Sequence, residues 1–244
     1  RRAQGGRPPR AGGAEPGLQP QLPARFWRGL VCKEGRERLG AAGADRKRSI
    51  DLTEEALASR RLLRRLGTDL EQLRGFFAAQ EEEGGLVQLL GASLRRCFGL
   101  APGVLAGQRL HRLLDYREEP ADLPGPRCQP HRDYGSFTLL WQDSEGLEVL
   151  RPGGEWAAAP PGAAVVLAGS ALSLLTAGRV FAPPHRVVAP AGPQGAPYTP
   201  RRSALAHFVE PAKCQILQPV GHAGDGRSTP EATTYGELKR RARE

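Results

Sequence analysis

The sequence predicts a mainly β fold, an antiparallel sandwich or barrel preceded by helices. Three observations predict it. Apolar residues recur at helical spacing in the first hundred residues, and short β-prone runs punctuated by Gly and Pro follow from residue 109 onward. A chain of 244 residues with 39% hydrophobic content is also long enough to bury a sizeable core.

Two helices are predicted ahead of the strands. The stretch "TDLEQLRGFFAAQ" opens with Thr68 and Glu71 at capping-box spacing and continues with leucine and phenylalanine at helical intervals. The stretch "GLVQLLGASLRRCFG" places its apolar residues on one side and ends at Gly99, which predicts a second helix. A further helix is expected within 54–66, and packing against the core explains all these apolar stripes.

The predicted strands are short and separated by turn residues. They cover 109–116, 134–142, 146–151, 155–158, 163–168, 184–189 and 203–209.

Composition divides the chain into three parts. Residues 1–48 are rich in Gly, Pro, Ala and Arg and predict a disordered basic tail, 49–108 a helical region, and 109–244 the β domain. Residues 1–49 carry 10 Arg and 2 Lys against 4 acidic residues, a net charge of +8 out of +9. The remaining 23 basic and 22 acidic residues nearly balance, which argues against a specific nucleic-acid groove.

Four widely spaced cysteines without a C-x-x-C pair favour a reducing compartment over a disulfide scaffold, so we expect a cytoplasmic protein. The basic, acid-poor N-terminus leaves organelle targeting open as an alternative. No apolar run reaches membrane-spanning length, and we expect no membrane association. The chain begins with Arg and contains no methionine, so a fragment or a processed product is expected.

The stretch "QPHRDYGSFTLLWQD" carries the first chemical signal. Side chains two apart on a strand share a face, so His131 and Asp133 are expected to converge while Arg132 points away. An imidazole and a carboxylate that converge form two thirds of a facial iron site. By itself, an H-x-D sequence is equally compatible with an ordinary pair of surface polar residues.

Two later motifs complete the pattern. His185 lies between a proline pair that disfavours helix and a valine pair that favours strand, and Arg201 and Ser203 stand two apart on a predicted strand. Taken singly, His185 is compatible with a structural histidine and Arg201 with a surface arginine. Together with H-x-D, and in this order, they predict a complete site.

Residues 109–241 resemble the plant-type and isopenicillin N synthase-like Fe(II)/2-oxoglutarate dioxygenases. The resemblance is carried by "HRDYGSFTLLWQDSEGLEVL", "GGEWAAAPPGAAVVLAG", "PHRVV", "RRS" and "TYGELKRR", in that order. It implies a double-stranded β-helix (a jelly-roll, cupin-like core) in which His131, Asp133 and His185 are the metal ligands and catalytic residues. Two imidazoles and one carboxylate on one face of Fe(II) leave positions free for co-substrate and oxygen.

The resemblance also implies an anchor for the co-substrate. Arg201 and Ser203 match the pair that grips the far carboxylate of 2-oxoglutarate, a group that a guanidinium binds through two parallel hydrogen bonds. Tyr116 matches a tyrosine on the strand that lines the co-substrate pocket. One spacing departs from the family pattern: Pro211 follows R-x-S one residue late, which puts His207 where an aromatic is expected.

The implied function is oxidation, usually hydroxylation, of a small organic molecule, with dioxygen consumed and 2-oxoglutarate decarboxylated to succinate; ascorbate is a further expected cofactor. We expect a monomer. Two alternatives stay open: an isopenicillin N synthase-like iron oxidase that does not use 2-oxoglutarate, and a non-catalytic remnant of the fold that serves as a binding or scaffold module.

Overall fold

The computed structural model describes residues 33–34, 45–53, 57–58, 64, 67–190, 196–221 and 230–242. Most of the predicted tail and most of the predicted helix at 54–66 lie outside these residues. Two residues assigned to the predicted tail, Asp45 and Lys47, are buried in the fold at 2% and 9% exposure.

Both long helices predicted from the sequence are confirmed. They are α1 (Thr68–Glu81) and α2 (Leu86–Phe98), followed later by the shorter α3 (Ser170–Leu175) and α4 (Tyr235–Arg241). The predicted capping box is wrong: Gly67 occupies the N-cap position of α1 and no side chain caps this end. Gly99 ends α2 as expected, since its φ of 65° is a left-handed conformation that glycine adopts without steric cost.

The strands form two main antiparallel sheets. The strands are β1 (Lys33–Glu34), β2 (Arg48–Leu52), β3 (Gln108–Tyr116), β4 (Glu119–Pro120), β5 (Cys128–His131), β6 (Phe137–Gln142), β7 (Leu147–Leu150), β8 (Trp156–Ala158), β9 (Val165–Ala168), β10 (His185–Val187), β11 (Tyr198–Thr199), β12 (Arg202–Glu210), β13 (Ile216–Leu217) and β14 (Thr233–Thr234). The larger sheet has the order β1-β2-β3-β12-β6-β9, and the smaller has the order β5-β10-β7-β8. Each of the seven predicted runs contains a strand.

The two sheets pack face to face around one apolar cluster. The larger sheet contributes Leu114, Tyr116, Leu140, Ala204 and Ala206, and the smaller contributes Cys128, Leu147 and Val187. Alternation along each strand brings these side chains to the inner face. This arrangement confirms the predicted mainly β sandwich.

Helices α1 and α2 cover the outer face of the larger sheet. Leu70, Leu73 and Phe77 of α1 pack on Leu113 and Leu205, residues of β3 and β12 that point away from the smaller sheet. A similar cluster joins α2 to β6. The larger sheet is therefore buried on both sides, which explains its long apolar strands.

Within the described part of the chain, no helix combines the length and the apolar character needed to cross a membrane.

Candidate functional site

Two histidines face each other across neighbouring strands of the smaller sheet. His131 is the last residue of β5 and His185 the first of β10, and the antiparallel register makes them direct partners. Cross-strand partners on one face bring their side chains together. Their ring centroids lie 4.3 Å apart, and His185 is only 5% exposed.

Asp133 completes the group from the connection between β5 and β6. Its Oδ1 lies 3.8 Å from Nε2 of His185, and one ligand atom from each of the three side chains lies within 4.8 Å of the other two. The expected convergence of His131 and Asp133 is present, but its expected cause is wrong. Strand β5 ends at His131, so a turn of the backbone after the strand, and not strand alternation, directs the carboxylate inward.

Each member of the group has its second polar atom engaged elsewhere. Nδ1 of His131 lies 2.8 Å from the carbonyl oxygen of Gln129, and Nδ1 of His185 lies 3.3 Å from that of Pro183. Thr138 donates its hydroxyl to Oδ2 of Asp133 at 2.5 Å. These contacts leave Nε2 of each ring and Oδ1 of the carboxylate free, which is how metal-binding histidines and carboxylates are usually oriented by their surroundings.

Ser170 fixes the backbone of the aspartate. Its amide and its hydroxyl both donate to the carbonyl oxygen of Asp133, at 2.8 and 3.0 Å. Gly169 and Gly135 lie back to back beside this contact, so close that a Cβ on Gly169 would overlap the Gly135 carbonyl oxygen. The start of α3 is therefore held tightly against the segment that carries the carboxylate.

The electrostatics of the group favour neutral imidazoles. Burial lowers the pKa of His185 to about 4 and also lowers the pKa of His131, because a charged ring is poorly solvated inside the sandwich. A neutral imidazole keeps the lone pair that a metal ion requires. The three side chains together can bind a divalent cation on one face.

The structure does not place Arg201 and Ser203 in the interior. Arg201 precedes β12, is 43% exposed at its side chain and donates from Nε to Asp115 at 2.6 Å. The backbone amide of Ser203 donates to the carboxylate of Asp143, and alternation puts its side chain on the outward face with Leu205. Their predicted role in binding 2-oxoglutarate stays a prediction, which this placement does not favour.

Arg202 is the arginine that points between the sheets. It is 1% exposed, its guanidinium carbon lies 5.0 Å from the ring centre of Tyr116, and Nη2 donates to Oε1 of Gln142 at 2.6 Å. Its Nε and Nη1 are buried and have no hydrogen-bond partner among the described residues. A buried guanidinium with unpaired donors is a suitable partner for a carboxylate.

The sequence did contain a signal for Arg202. Counted from Arg201, Pro211 arrives one residue late for the family pattern; counted from Arg202, the proline and the aromatic Phe208 both fall at the expected distances. The same shift puts Ala204 where the family has its serine. Tyr116, also predicted, does lie in the interior, at 2% exposure.

A buried ion pair lies beside the group, in a segment predicted to be a disordered tail. Nζ of Lys47 lies 3.0 Å from Asp45 and 3.1 Å from Sγ of Cys128. Burial alone would lower the pKa of Lys47, but Cys128, Tyr116 and Asp45 together raise it, so the amine is charged. Nothing in the Gly- and Ala-rich sequence around these residues indicated this position.

Comparisons with known proteins agree with this geometry. Residues 108–211 match the model of the 2OG-Fe(II) oxygenase superfamily. A 2-oxoglutarate-dependent dioxygenase of Didymella fabae is 42% identical over 85 residues, which cover 32% of this chain and 26% of that protein. Another, from Dothideomycetidae sp. (strain 11243), is 33% identical over 117 residues, 43% of this chain and 35% of the relative. The matches thus span about a quarter to a third of these curated relatives.

Solved structures show the same fold. The dioxygenase for auxin oxidation of rice has a TM-score of 0.67 at 21% identity, with 90% of this chain and 75% of that chain covered. The dioxygenase for auxin oxidation 1 of Arabidopsis thaliana, in complex with 2-oxoglutarate, has a TM-score of 0.61 at 19% identity, with 82% and 76% covered. The two facing sheets are thus a double-stranded β-helix, and residues 108–211 within it are similar to the 2OG-Fe(II) oxygenase superfamily.

Proposed function

We propose that this chain is an Fe(II)- and 2-oxoglutarate-dependent dioxygenase that oxidises, by default hydroxylates, a small organic molecule. One observation carries the proposal: His131, Asp133 and His185 each have one polar atom engaged by the protein, and their remaining ligand atoms face a common point. Iron with 2-oxoglutarate and dioxygen supplies the oxidising chemistry when bound. The curated relatives are named for the same activity.

The protein's own residues have distinct parts in this proposal. Nε2 of His131, Nε2 of His185 and Oδ1 of Asp133 hold the metal, and Thr138 keeps the carboxylate turned toward it. Arg202 provides the buried positive charge that receives the far carboxylate of the co-substrate. Burial of these groups between the sheets keeps water away, which strengthens every charge interaction at the site.

Tyr116 has a positioning part. Its ring lies against the guanidinium of Arg202, 5.0 Å from centre to carbon, and limits the directions that the guanidinium can take. This contact occupies one face of Arg202 and leaves its edge for the carboxylate. The arginine is therefore presented as a fixed fork rather than as a mobile charge.

The direct test is turnover. The purified chain, incubated with Fe(II), 2-oxoglutarate and ascorbate in a metabolite mixture, should release succinate in step with the loss of one compound. Asp133→Asn should reduce succinate release at least about 100-fold, because a carboxylate ligand becomes a weak neutral donor. Asp122→Asn, an exposed position in the preceding loop, is the matched control and should leave the rate unchanged.

Two further outcomes separate the alternatives. Bound iron without the absorption band of 2-oxoglutarate chelated to Fe(II) under anaerobic conditions would favour an oxidase that anchors its substrate's own carboxylate on Arg202. Protein purified without oxygen that retains no iron, and that behaves identically after Asp133→Asn, would identify a non-catalytic remnant.

A further inference from the structure

A second pair of facing histidines lies on the opposite face of the larger sheet. His111 of β3 and His207 of β12 are direct partners in the antiparallel register, and their ring centroids lie 4.3 Å apart. They are 4% and 0% exposed, under helix α1. This repeats the cross-strand arrangement of His131 and His185, in a place that the oxygenase site does not use.

Glu81, the last residue of α1, brings a carboxylate to the pair. Its Oε1 lies 3.2 Å from Nε2 of His207 and 3.9 Å from Nε2 of His111. Its other oxygen is held by Nη1 of Arg109 at 2.9 Å, and the ring of Phe77 stacks on His111 with 3.6 Å between centroids. One carboxylate oxygen and two imidazoles are thus fixed around a common point.

The polar atoms of this group lack ordinary hydrogen bonds. Among the described residues, neither nitrogen of His111 or His207 has a hydrogen-bond partner of normal geometry, and neither has Oε1 of Glu81, although all five atoms are buried. Buried polar groups are almost always satisfied, because their desolvation is otherwise uncompensated.

The spacing fits a tetrahedral metal ion. Ligand atoms about 2.0–2.1 Å from a tetrahedral Zn²⁺ lie about 3.4 Å from one another, close to the 3.2 and 3.9 Å separations measured from Oε1 of Glu81. Two histidines and one glutamate form a donor set that zinc binds with its fourth position open. We infer that Glu81, His111 and His207 form a second metal site, separate from the oxygenase site, and that its ion is Zn²⁺.

A cavity gives access to this site, and the three ligands come from different elements of the fold. A cavity of about 220 Å³ opens beside the group and is lined by Phe77, Glu81, Arg109 and His111, among others. It gives the ion an entry path and room for water as the fourth ligand. Because the ligands come from α1, β3 and β12, the bound ion joins the helix to two strands of the larger sheet.

Zinc binding to a variant without the first site tests this inference. His185→Ala removes one ligand of the oxygenase site, so the metal-free His185→Ala protein should bind one equivalent of Zn²⁺ in equilibrium dialysis. Adding Glu81→Gln, which preserves volume at a half-buried helix end, should weaken binding at least about 100-fold, more than the loss of an outer-shell partner does. Adding Glu71→Gln, an exposed glutamate on the same helix, is the matched control and should leave the affinity unchanged.

Two readouts keep the test independent of folding. Zn²⁺ should raise the melting temperature of His185→Ala and of its Glu71→Gln derivative, but not that of the Glu81→Gln derivative, since only a ligand of the native state stabilises it. Co²⁺ should give the absorption of a tetrahedral site with nitrogen and oxygen ligands in His185→Ala and in its Glu71→Gln derivative, but not in its Glu81→Gln derivative. Equal zinc affinity in the Glu81→Gln and Glu71→Gln derivatives, or less than about a tenth of an equivalent bound to His185→Ala, would overturn the inference.

Discussion

At the scale of single residues, the site depends on which of two adjacent arginines points inward. Arg201 is half exposed and paired with Asp115, whereas Arg202 is buried with two free donors. Successive residues on a strand point to opposite faces, so the two arginines cannot exchange places without reversing all of β12.

Replacing each arginine by glutamine separates their contributions. Arg202→Gln should raise the half-saturating concentration of 2-oxoglutarate about 10- to 150-fold, because charge-assisted hydrogen bonds worth about 1.5–3 kcal/mol are lost. Arg201→Gln should change it less than about fivefold, since Arg201 is paired with Asp115 on the outward side of the sheet and does not point between the sheets. Titration of 2-oxoglutarate into the iron-loaded protein, followed by its absorption band, measures both. The reverse order of effects would return the anchor to Arg201.

The residues of the two sites were visible in the sequence to different degrees. His131, Asp133 and His185 fall at positions that a family pattern marks, so their type and order sufficed to predict that they meet. The choice between Arg201 and Arg202 depends on the register of β12. Two adjacent arginines make this register ambiguous in the sequence, and only the position of Pro211, one residue late when counted from Arg201, favours Arg202. Glu81, His111 and His207 lie on three separate elements with no common spacing, and their proximity follows only from helix α1 packing on the sheet.

At the scale of elements, the contact between Gly135 and Gly169 couples α3 to Asp133, one of the proposed metal ligands. Gly169 and Gly135 are in backbone contact, and Ser170 at the start of α3 donates twice to the Asp133 carbonyl oxygen. No side chain fits between these two segments. The position of the carboxylate therefore depends on how closely α3 approaches the connection after β5.

Gly169→Ala should displace the carboxylate without touching the metal. The added methyl group overlaps the Gly135 backbone, which must move and carry Asp133 with it, so we expect a loss of metal affinity of about 10- to 100-fold, as for other residues that orient ligands. Gly153→Ala is the matched control, because nothing lies within 4 Å of an added Cβ there. Titration with Mn²⁺, followed by electron paramagnetic resonance, gives both affinities. Unchanged affinity in Gly169→Ala would mean that α3 does not position the ligand.

The helices show what local sequence determines and what it does not. The apolar spacing that predicted α1 and α2 reflects the faces that pack on the larger sheet, and Gly99 ends α2 by its own backbone freedom. The expected cap failed because Thr68 is already inside the helix and Gly67 precedes it. Capping depends on the backbone conformation at the first residue, which the approach of the preceding chain sets.

At the scale of the whole molecule, β12 is the element on which the rest of the fold is built. It pairs with β3 along its full length and with β6 from Ala204 to Val209, and its two faces contribute to the core between the sheets and to the core under α1. Strands β13 and β14 have two residues each and pair only with one another in the described part of the chain. Opening β12 thus requires loss of both cores, whereas β13 can open locally.

Native-state hydrogen exchange should reveal this hierarchy. The amides of Ala204 to Phe208 should exchange only through global unfolding. Phe77→Ala leaves a cavity in place of a side chain that is 2% exposed, so the free energy of exchange at these amides should fall by the full loss of stability, about 3–5 kcal/mol. The amides of Ile216 and Leu217 should exchange at the same rate in both proteins, because their opening leaves α1 in place. Phe181→Ala, at a 42% exposed phenylalanine, is the control that should alter neither set. If Phe77→Ala leaves the β12 amides as protected as before while global stability falls, the larger sheet opens in parts and β12 does not hold the two cores together.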